Sequence, residues 1–255
     1  MSNREERIKL QNIDIKNVSK SFGSLRVLEQ VDFSIAKGEF AAIVGPSGCG
    51  KSTVLRMIAG LESPGSGAVT ANEADIEKPD PSRMLIFQEH ALYPWRTVAD
   101  NVAFGLELAG MRKKERSQRV DEVLAKVGLT GFQKYYPHQL SGGMRQRAAI
   151  ARALVTDPEV LLLDEPFGAL DAITKISMQN ELLTLWEGTG KTVLLITHDI
   201  DEAIYLADTV YVMSPRPGRI VEQIKLSMPR PRNRNGADFV AVRERVMKHL
   251  DLAHH

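Results

Sequence analysis

Short apolar runs recur along the chain and predict buried strands. Phe40–Val44 is continuously apolar, and the segments "VLLLDEP", from Val160, and "TVLLIT", from Thr192, have the same character. Runs of this length, bounded by glycine, proline or charged residues, are typical of strands buried on both faces. Two further candidates are "RMLIFQ" and "TVYVMS".

Between these strands, apolar residues recur at the spacing of amphipathic helices. Thr97 can cap a helix that ends at Leu108, and "KKERSQRVDEVLAKVG" predicts a helix that ends at Gly128. The remaining helices are predicted at Ser52–Ala59, after Ser141, at about Ala172–Glu187, in "IDEAIYLAD" and at about Phe239–Leu250.

The order of these elements predicts the fold class. Strands that alternate with helices indicate an α/β protein whose mostly parallel sheet is covered on both faces. Val31, Phe33 and Ile35 alternate with polar residues before a turn at Lys37-Gly38, which predicts a small antiparallel β part. A mostly helical stretch, about 90–155, interrupts the alternation as an inserted subdomain. A polar linker and a helix follow at about 228–252, and we expect one domain over 1–255.

Composition excludes several classes of protein. The chain has 255 residues, 43% of them hydrophobic, and a formal net charge of +1, which gives no overall attraction to nucleic acid. Cys49 is the single cysteine, so an intrachain disulfide is impossible and a reducing compartment is expected. The charged start "MSNREERIKL" is unlike a secretory signal, and no apolar run approaches the length of a membrane span.

The segment "GPSGCGKS" follows a predicted buried strand and begins a helix. It matches the phosphate-loop pattern, in which glycines let backbone N–H groups converge on phosphate oxygens. Lys51 is placed to reach the β- and γ-phosphates and Ser52 to ligate Mg²⁺. The loop therefore predicts a core of the phosphate-loop NTPase type. The nucleotide-binding candidates here are Gly45, Pro46, Ser47, Gly48, Cys49, Gly50, Lys51, Ser52 and Thr53.

Polar residues also follow three other predicted strands. Ligands of an α/β sheet bind beyond the carboxyl ends of its strands, where Asp164 and Glu165 emerge. Asp164 can hold Mg²⁺, and Glu165 can orient and deprotonate an attacking water. His198 is a candidate for contact with the γ-phosphate, and Gln88 for contact with Mg²⁺ or the water.

The stretch "LSGGMRQR" places two glycines at the start of a predicted helix. A serine hydroxyl, glycine amides and a helix N-terminus can form a second anion site, at Ser141, Gly142 and Gly143. Since the phosphate loop already surrounds one nucleotide, this site could receive the nucleotide of a second copy. A plain glycine corner before a helix is the alternative.

Together, "GPSGCGKST", "LSGGMRQR", "LLLDEPFGALD" and "ITHD", in this order, resemble the ATP-binding cassette family over essentially the whole chain. The resemblance implies an ATP-binding domain that hydrolyses ATP to ADP and phosphate as a head-to-tail dimer. It identifies Phe22 as the ring that stacks on adenine, Gln88 as the Q-loop residue, Ala169–Asp171 as the D-loop and His198 as the switch histidine. Phe22 stands where the family more often has Tyr, and Met144 where it often has Gln.

A finer resemblance, in "ALYPWRTVADNVAFGLELAGM" and "SPRPGRI", is to importer ATPases for nitrate, sulfonates and taurine. It implies a peripheral subunit on the cytoplasmic face of the cell membrane. Its partners would be transmembrane permease subunits, a second copy and, indirectly, a periplasmic or lipid-anchored solute-binding protein, with no nucleic acid. The candidates for permease contact are Leu92, Tyr93, Trp95 and Arg96, whose alternative role is packing within the insertion.

Three rival functions fit the sequence less well than an importer ATPase does. A soluble cassette protein acting on nucleic acid or ribosomes usually carries long coiled-coil insertions or two cassettes, and a phosphate-loop kinase does not need "LSGG". A binding module without catalysis is disfavoured by Glu165 and His198.

Several other residues are expected to have no catalytic role. Cys49 is expected to fill space and Trp186 to lie in the core. A solvated linker is expected at Arg230, Arg232 and Arg234, and no metal site is expected at His254 and His255.

Overall fold

Two β-sheets organise the described part of the chain, which comprises residues 11–86, 92–168, 170–187 and 189–251 of this computed structural model. The ten strands there are β1 (Ile13–Phe22), β2 (Leu25–Ile35), β3 (Phe40–Val44), β4 (Ser66–Ala71), β5 (Ala74–Asp75), β6 (Arg83–Ile86), β7 (Val160–Asp164), β8 (Thr192–Thr197), β9 (Thr209–Met213) and β10 (Ile220–Lys225). The predicted α/β class, with a mostly parallel sheet and an antiparallel β part, is confirmed.

The larger sheet has the strand order β10-β9-β3-β8-β7-β6. All neighbouring pairs in it are parallel except β10 with β9. The carboxyl ends of β3, β8 and β7 therefore lie side by side at one edge. The segments that follow these three strands carry most of the polar residues singled out from the sequence.

The second sheet is antiparallel, with the order β2-β1-β4-β5. The sequence predicts only the last part of β2, because the alternation is clear from Val31 to Ile35 and is lost before it. Register shifts interrupt the pairing of β1 with β2 between Ile15 and Ser21. Such irregular, polar-rich strands have no simple period of two, which is why β1, β4 and β5 were not predicted.

The seven described helices are α1 (Lys51–Ile58), α2 (Val98–Leu108), α3 (Lys113–Lys126), α4 (Gly142–Leu154), α5 (Ala172–Glu187), α6 (Ile200–Leu206) and α7 (Ala237–Asp251). Thr97 caps α2 as predicted, since its side chain accepts a hydrogen bond from the backbone N–H of Asp100. Helices α2, α3 and α4 pack together and lie between β6 and β7 in the chain.

The residues of β3 divide the core between the two faces of the larger sheet, because successive side chains of a strand point in opposite directions. Phe40, Ala42 and Val44 pack with the apolar sides of the helical insertion and of α6. Ala41 and Ile43 pack with α1 and the antiparallel sheet. Trp186 is half-buried and lies edge-on to Phe40, with ring centroids 5.5 Å apart.

The prediction of a solvated linker at Arg230, Arg232 and Arg234 is wrong. Arg232 is only 5% exposed and donates to the carbonyls of Ile204 and Ala207 at the end of α6. Arg230 pairs with Asp208, and Arg234 lies over the ring of Tyr205 at 4.0 Å. The long aliphatic stems and the many N–H groups of arginine let this proline-rich segment dock although it lacks an apolar pattern.

Candidate nucleotide-binding and hydrolytic site

The phosphate loop connects β3 to α1, as its sequence predicts. Gly50 is the N-cap of α1 and has φ 109°, a conformation that favours glycine. A Cβ there would also lie 2.5 Å from Leu28 Cδ2, so a larger residue would have to displace that buried side chain. No side chain caps α1 and no acidic residue lies in its first turn, within the described chain, so its N–H groups face a site suited to an anion.

Lys51 begins α1 and is only 5% exposed. Its Nζ donates to the carbonyl oxygens of Gly45, at 2.8 Å, and Pro46, at 3.0 Å. Both acceptors belong to the phosphate loop itself, so the ammonium group lies across the inside of the loop. A buried cation at a helix N-terminus forms a strongly positive site, which suits a polyphosphate.

Cys49 is buried in the same loop, and burial raises the pKa of its thiol. A neutral buried thiol is a poor nucleophile. The geometry therefore agrees with a space-filling role.

Ser52 and Asp164 come together beside the phosphate loop. The Ser52 hydroxyl donates to Asp164 Oδ1 at 3.3 Å, although 112 positions separate the two residues. Burial raises the pKa of Asp164. A hydroxyl and a partly buried carboxylate at this spacing are the oxygen ligands that Mg²⁺ prefers, so the pair fits the predicted metal site.

Glu165 and His198 form a second pair at the same edge. Glu165 Oε2 lies 2.9 Å from His198 Nδ1, with the glutamate mostly buried and the histidine exposed. Glu165 has φ 44°, in the left-handed region that non-glycine residues rarely adopt. The turn after β7 thus holds the carboxylate towards β8 and its histidine.

The segment "LSGGMRQR", called the signature segment below, lines one side of a separate cleft. Ser141 caps α4 by accepting a hydrogen bond from the N–H of Met144 at 3.3 Å. Asp171 does the same for α5, where its Oδ1 accepts from the N–H of Thr174 at 3.0 Å. Between these two helix starts lies a cleft of about 510 Å³, lined by Ser141, Gly142, Gly143, Leu170, Asp171 and Thr174. None of its described lining residues belongs to the phosphate loop.

The remaining site residues are placed as follows. Phe22 ends β1 and is 47% exposed, with Lys20 Nζ 5.2 Å from the centre of its ring. Pro46, Ser47, Gly48 and Thr53 lie in or directly after the phosphate loop. Gln88 and Ala169 lie outside the described residues, as do His254 and His255.

A loop from the other end of the chain supports the phosphate loop from outside. Arg216 Nε donates to the carbonyl of Gly48 at 3.2 Å. A Cβ on Gly218 would lie 2.1 Å from the carbonyl oxygen of Cys49, so this glycine permits the contact. Gly218 also exchanges backbone hydrogen bonds with β2. The sequence predicts only a turn here, since nothing local reveals a partner about 170 positions away.

A cluster of charges that the sequence reading overlooked lies behind His198. Lys175 of α5 contacts both Asp199 and Glu202 at the start of α6. Asp199 and Glu202 are three residues apart, as in a helix-capping pattern, and that spacing is the signal in the sequence that could have found them.

On the helical insertion, the loop from Leu92 to Arg96 exposes Trp95, whereas Tyr93 is half-buried and packs edge-on against Phe104. Trp95 is 72% exposed and lies tilted against Tyr93, with ring centroids 5.5 Å apart and an interplanar angle of 39°. Asn101 holds the loop from beneath, since its Oδ1 accepts from the N–H of Tyr93 at 2.7 Å. Arg96 pairs with Glu107 at 2.8 Å. The loop is therefore a supported surface with an exposed apolar tip.

These features define a class of protein. A glycine-rich loop between a buried strand and a helix, a buried lysine and a Ser–Asp pair at the carboxyl edge of a parallel sheet are the geometry of a phosphate-loop protein that binds nucleoside triphosphates. Comparison with known proteins then narrows the class, because the family model for ABC transporters matches residues 28–168. The chain belongs to the ABC transporter family, as an ATP-binding cassette.

Two curated relatives are import proteins. The aliphatic sulfonates import ATP-binding protein SsuB of Bacillus cereus is 46% identical over 243 residues, which cover 94% of this chain and 96% of that protein. The taurine import ATP-binding protein TauB of Yersinia pestis is 47% identical over 228 residues, covering 86% and 89%.

A solved structure shares the fold. The ATP-binding cassette MJ0796, in a dimeric post-hydrolysis state bound to ADP and Pi, superposes with a TM-score of 0.73 at 34% identity. The match covers 85% of this chain and all of that one. The resemblance inferred from the four motifs is therefore confirmed.

Among the residues that the structure describes, no helix combines the length and the apolar character needed to cross a bilayer.

Proposed function

We propose that the chain is the ATP-hydrolysing subunit of an ABC importer and that it acts as a head-to-tail dimer. The observation that carries this proposal is the separation of two half-sites in one chain. The phosphate loop, Asp164 and Glu165 lie at the sheet edge, whereas Ser141 and Asp171 line a cleft of their own. A second copy in the opposite orientation would bring its cleft to the first copy's phosphate loop, and the dimeric state of a similar cassette supports the pairing of two copies.

Each residue of the site has a separate role in the proposed hydrolysis. The loop amides and Lys51 bind the phosphates, Phe22 stacks on adenine, and Ser141 and Gly143 of the second copy contact the γ-phosphate. Glu165 takes a proton from the attacking water, and His198 holds both that carboxylate and the γ-phosphate in place. Ser52, Asp164 and Gln88 would hold Mg²⁺, which when bound neutralises phosphate charge.

The transported solute is proposed to be an aliphatic sulfonate, taurine or nitrate. The named functions of the two relatives support a sulfonate and taurine, at 46% and 47% identity.

We further propose that the exposed tip at Trp95 contacts a permease subunit and that the chain lies on the cytoplasmic face of the membrane. A solute-binding protein would act through that permease. Both relatives are named as import proteins and neither as a protein that acts on nucleic acid. Their names therefore favour the importer over a soluble cassette protein.

The direct test of hydrolysis is the substitution Glu165→Gln, which keeps the shape of the side chain but removes the base. We expect kcat to fall by about 10²- to 10⁴-fold, the usual contribution of a positioned general base. The Kd for ATP should stay within about twofold, because Glu165 does not belong to the phosphate loop. Steady-state phosphate release and equilibrium binding of a fluorescent ATP analogue measure the two quantities.

The matched control is Glu122→Gln, which changes an exposed glutamate on α3 and should leave both quantities at the parent values. A Glu165→Gln variant that hydrolyses ATP at the parent rate would contradict the assignment of the base.

A further inference from the structure

Glu202 is a buried charged residue that the hydrolytic scheme leaves unexplained. Its side chain is 2% exposed, within the first turn of α6. Burial raises the pKa of this carboxyl, which means that its charged form depends on a nearby cation. Lys175 supplies that cation, with Nζ 2.9 Å from Glu202 Oε2.

The same ammonium group also binds the residue next to the switch histidine. Lys175 Nζ lies 2.6 Å from Asp199 Oδ2. Burial acts to raise the pKa of Asp199, but the hydrogen bond from Lys175 and others outweigh it and lower that pKa. Asp199 Oδ1 in turn accepts from the N–H of Glu202 at 3.0 Å and so caps α6. One lysine therefore fixes the start of α6 through two carboxylates.

The other end of this connection is the cleft of the signature segment. Lys175 donates its backbone N–H to the carbonyl of Asp171 at 2.8 Å, within the first turn of α5. Asp171 and Thr174 line the cleft. Asp199 is joined directly to His198, whose ring contacts Glu165. A short chain of contacts thus leads from the cleft through Lys175 to the hydrolytic pair of the same copy.

We propose that Lys175 is a positioning residue for hydrolysis: it ties the first turn of α5 to the start of α6 and thereby holds His198 against Glu165. The inference rests on the proposed function, since it assumes hydrolysis at Glu165 and a second copy in the cleft. When that copy moves the first turn of α5, Lys175 transmits the movement to the histidine. In this scheme Lys175 acts through the histidine and not on the nucleotide itself.

Lys175→Met tests the proposal, because methionine keeps much of the stem of lysine but leaves two neighbouring carboxylates without their cation. We expect kcat to fall about tenfold, a part of what a positioned acid–base pair contributes. The KM for ATP should change by less than about twofold, since the phosphate loop is untouched. Lys175→Arg, which restores a cation with several donors, should recover most of the lost rate.

Lys191→Met is the matched control. Lys191 is a buried lysine with a carboxylate partner at 2.6 Å, Asp157, but it precedes β8, whereas His198 follows that strand. The Lys191→Met variant should have a lower melting temperature, as Lys175→Met does, and an unchanged kcat. If Lys175→Met does not fold, Asp199→Asn serves instead, because asparagine still caps a helix but carries no charge for Lys175. It should show the same fall in kcat.

The outcomes separate the two claims. A folded Lys175→Met or Asp199→Asn variant with kcat within about twofold of the parent overturns the role of Lys175, provided that Glu165→Gln is inactive. An equal fall in kcat for Lys191→Met also overturns it, since the effect would then be a general loss of stability. A parent protein that does not hydrolyse ATP refutes the proposed function itself.

Discussion

At the scale of one residue, the backbone conformation of Glu165 sets the direction of its carboxylate. Its φ of 44° costs free energy for a residue with a Cβ, on the order of 1–3 kcal/mol. The turn is held by hydrogen bonds from Glu165 N–H to the carbonyl of Ile196 and from Gly168 N–H to the carbonyl of Glu165. These bonds direct the carboxylate towards His198, which follows the neighbouring strand β8, so the strained turn after β7 positions one member of the proposed hydrolytic pair.

Trp95 carries the prediction about the permease. Trp95→Ala should lower the uptake of labelled sulfonate, taurine or nitrate in a strain that lacks the gene and is supplied with the variant. The reason is that a tryptophan at the centre of an interface typically contributes about 2 kcal/mol or more of binding free energy. ATPase activity of the isolated subunit should not change, because the ring packs on the surface of the insertion.

The control for Trp95 is Met247→Ala, which removes another exposed apolar side chain, on α7. Its uptake should equal that of the parent. Parent-level uptake by Trp95→Ala, together with undiminished co-purification of the permease, would remove the proposed contact. Failure of the parent gene to restore uptake of any of the three solutes would remove the proposed substrate class.

Single residues were predictable from the sequence where a motif fixes both their type and their spacing. Lys51, Asp164, Glu165 and His198 belong to such motifs, and the fold brings them to one edge of the sheet. The contacts of Arg216 and Gly218 with the phosphate loop were not predictable, because they join segments far apart in the chain. Such contacts arise from tertiary packing, of which the local pattern carries no trace.

Helix α6 illustrates how, at the scale of one element, a short helix is stabilised from both ends. Asp199 caps its first turn, and Arg232 satisfies carbonyls at its last turn. Burial lowers the pKa of Arg232 to about 10, so the guanidinium still carries its charge at neutral pH. A cation at a helix C-terminus also interacts favourably with the helix dipole. The helix of seven residues is therefore positioned by its neighbours rather than by its own propensity.

Replacement of Arg232 by alanine tests this role in stability. The change leaves buried carbonyls of α6 without donors and should lower the free energy of unfolding by about 3 kcal/mol. Arg245→Ala removes an exposed pair with Glu222 on the same C-terminal segment and should cost less than about 1 kcal/mol. Urea denaturation followed by circular dichroism measures both values. Equal losses for the two variants would show that Arg232 does not act through its buried contacts.

Elements with a strong local sequence pattern were predictable, and elements without such a pattern were not. The strands β3, β7 and β8 are continuously apolar, and α2 has a clear cap, so their positions agree with the prediction to within a few residues. Helix α7 begins at Ala237, two residues before the predicted start. Strand β10 and the docked arginines lie in polar, proline-rich sequence, where burial depends on partners elsewhere in the fold.

At the scale of the whole molecule, the described residues form two surfaces that we propose to bind anions. One is the phosphate loop with its acidic edge, and the other is the cleft that Ser141 and Asp171 line. Ile173, which lines this cleft, and Ile176 are both exposed on α5. Apolar side chains next to an unfilled polar cleft are typical of a surface that a partner covers. A second copy in the proposed opposite orientation would satisfy both surfaces at once.

The most direct test of this account is the mass of the Glu165→Gln variant in solution, measured by light scattering with ATP. The account predicts a shift from one chain, 28.3 kDa, to a dimer of twice that mass when ATP is added. Adding Ser141→Arg should abolish the shift while ATP binding persists, because the cleft of each copy is then blocked. A protein that binds ATP and stays monomeric, or a Ser141→Arg variant that still dimerises with ATP, would contradict the shared site.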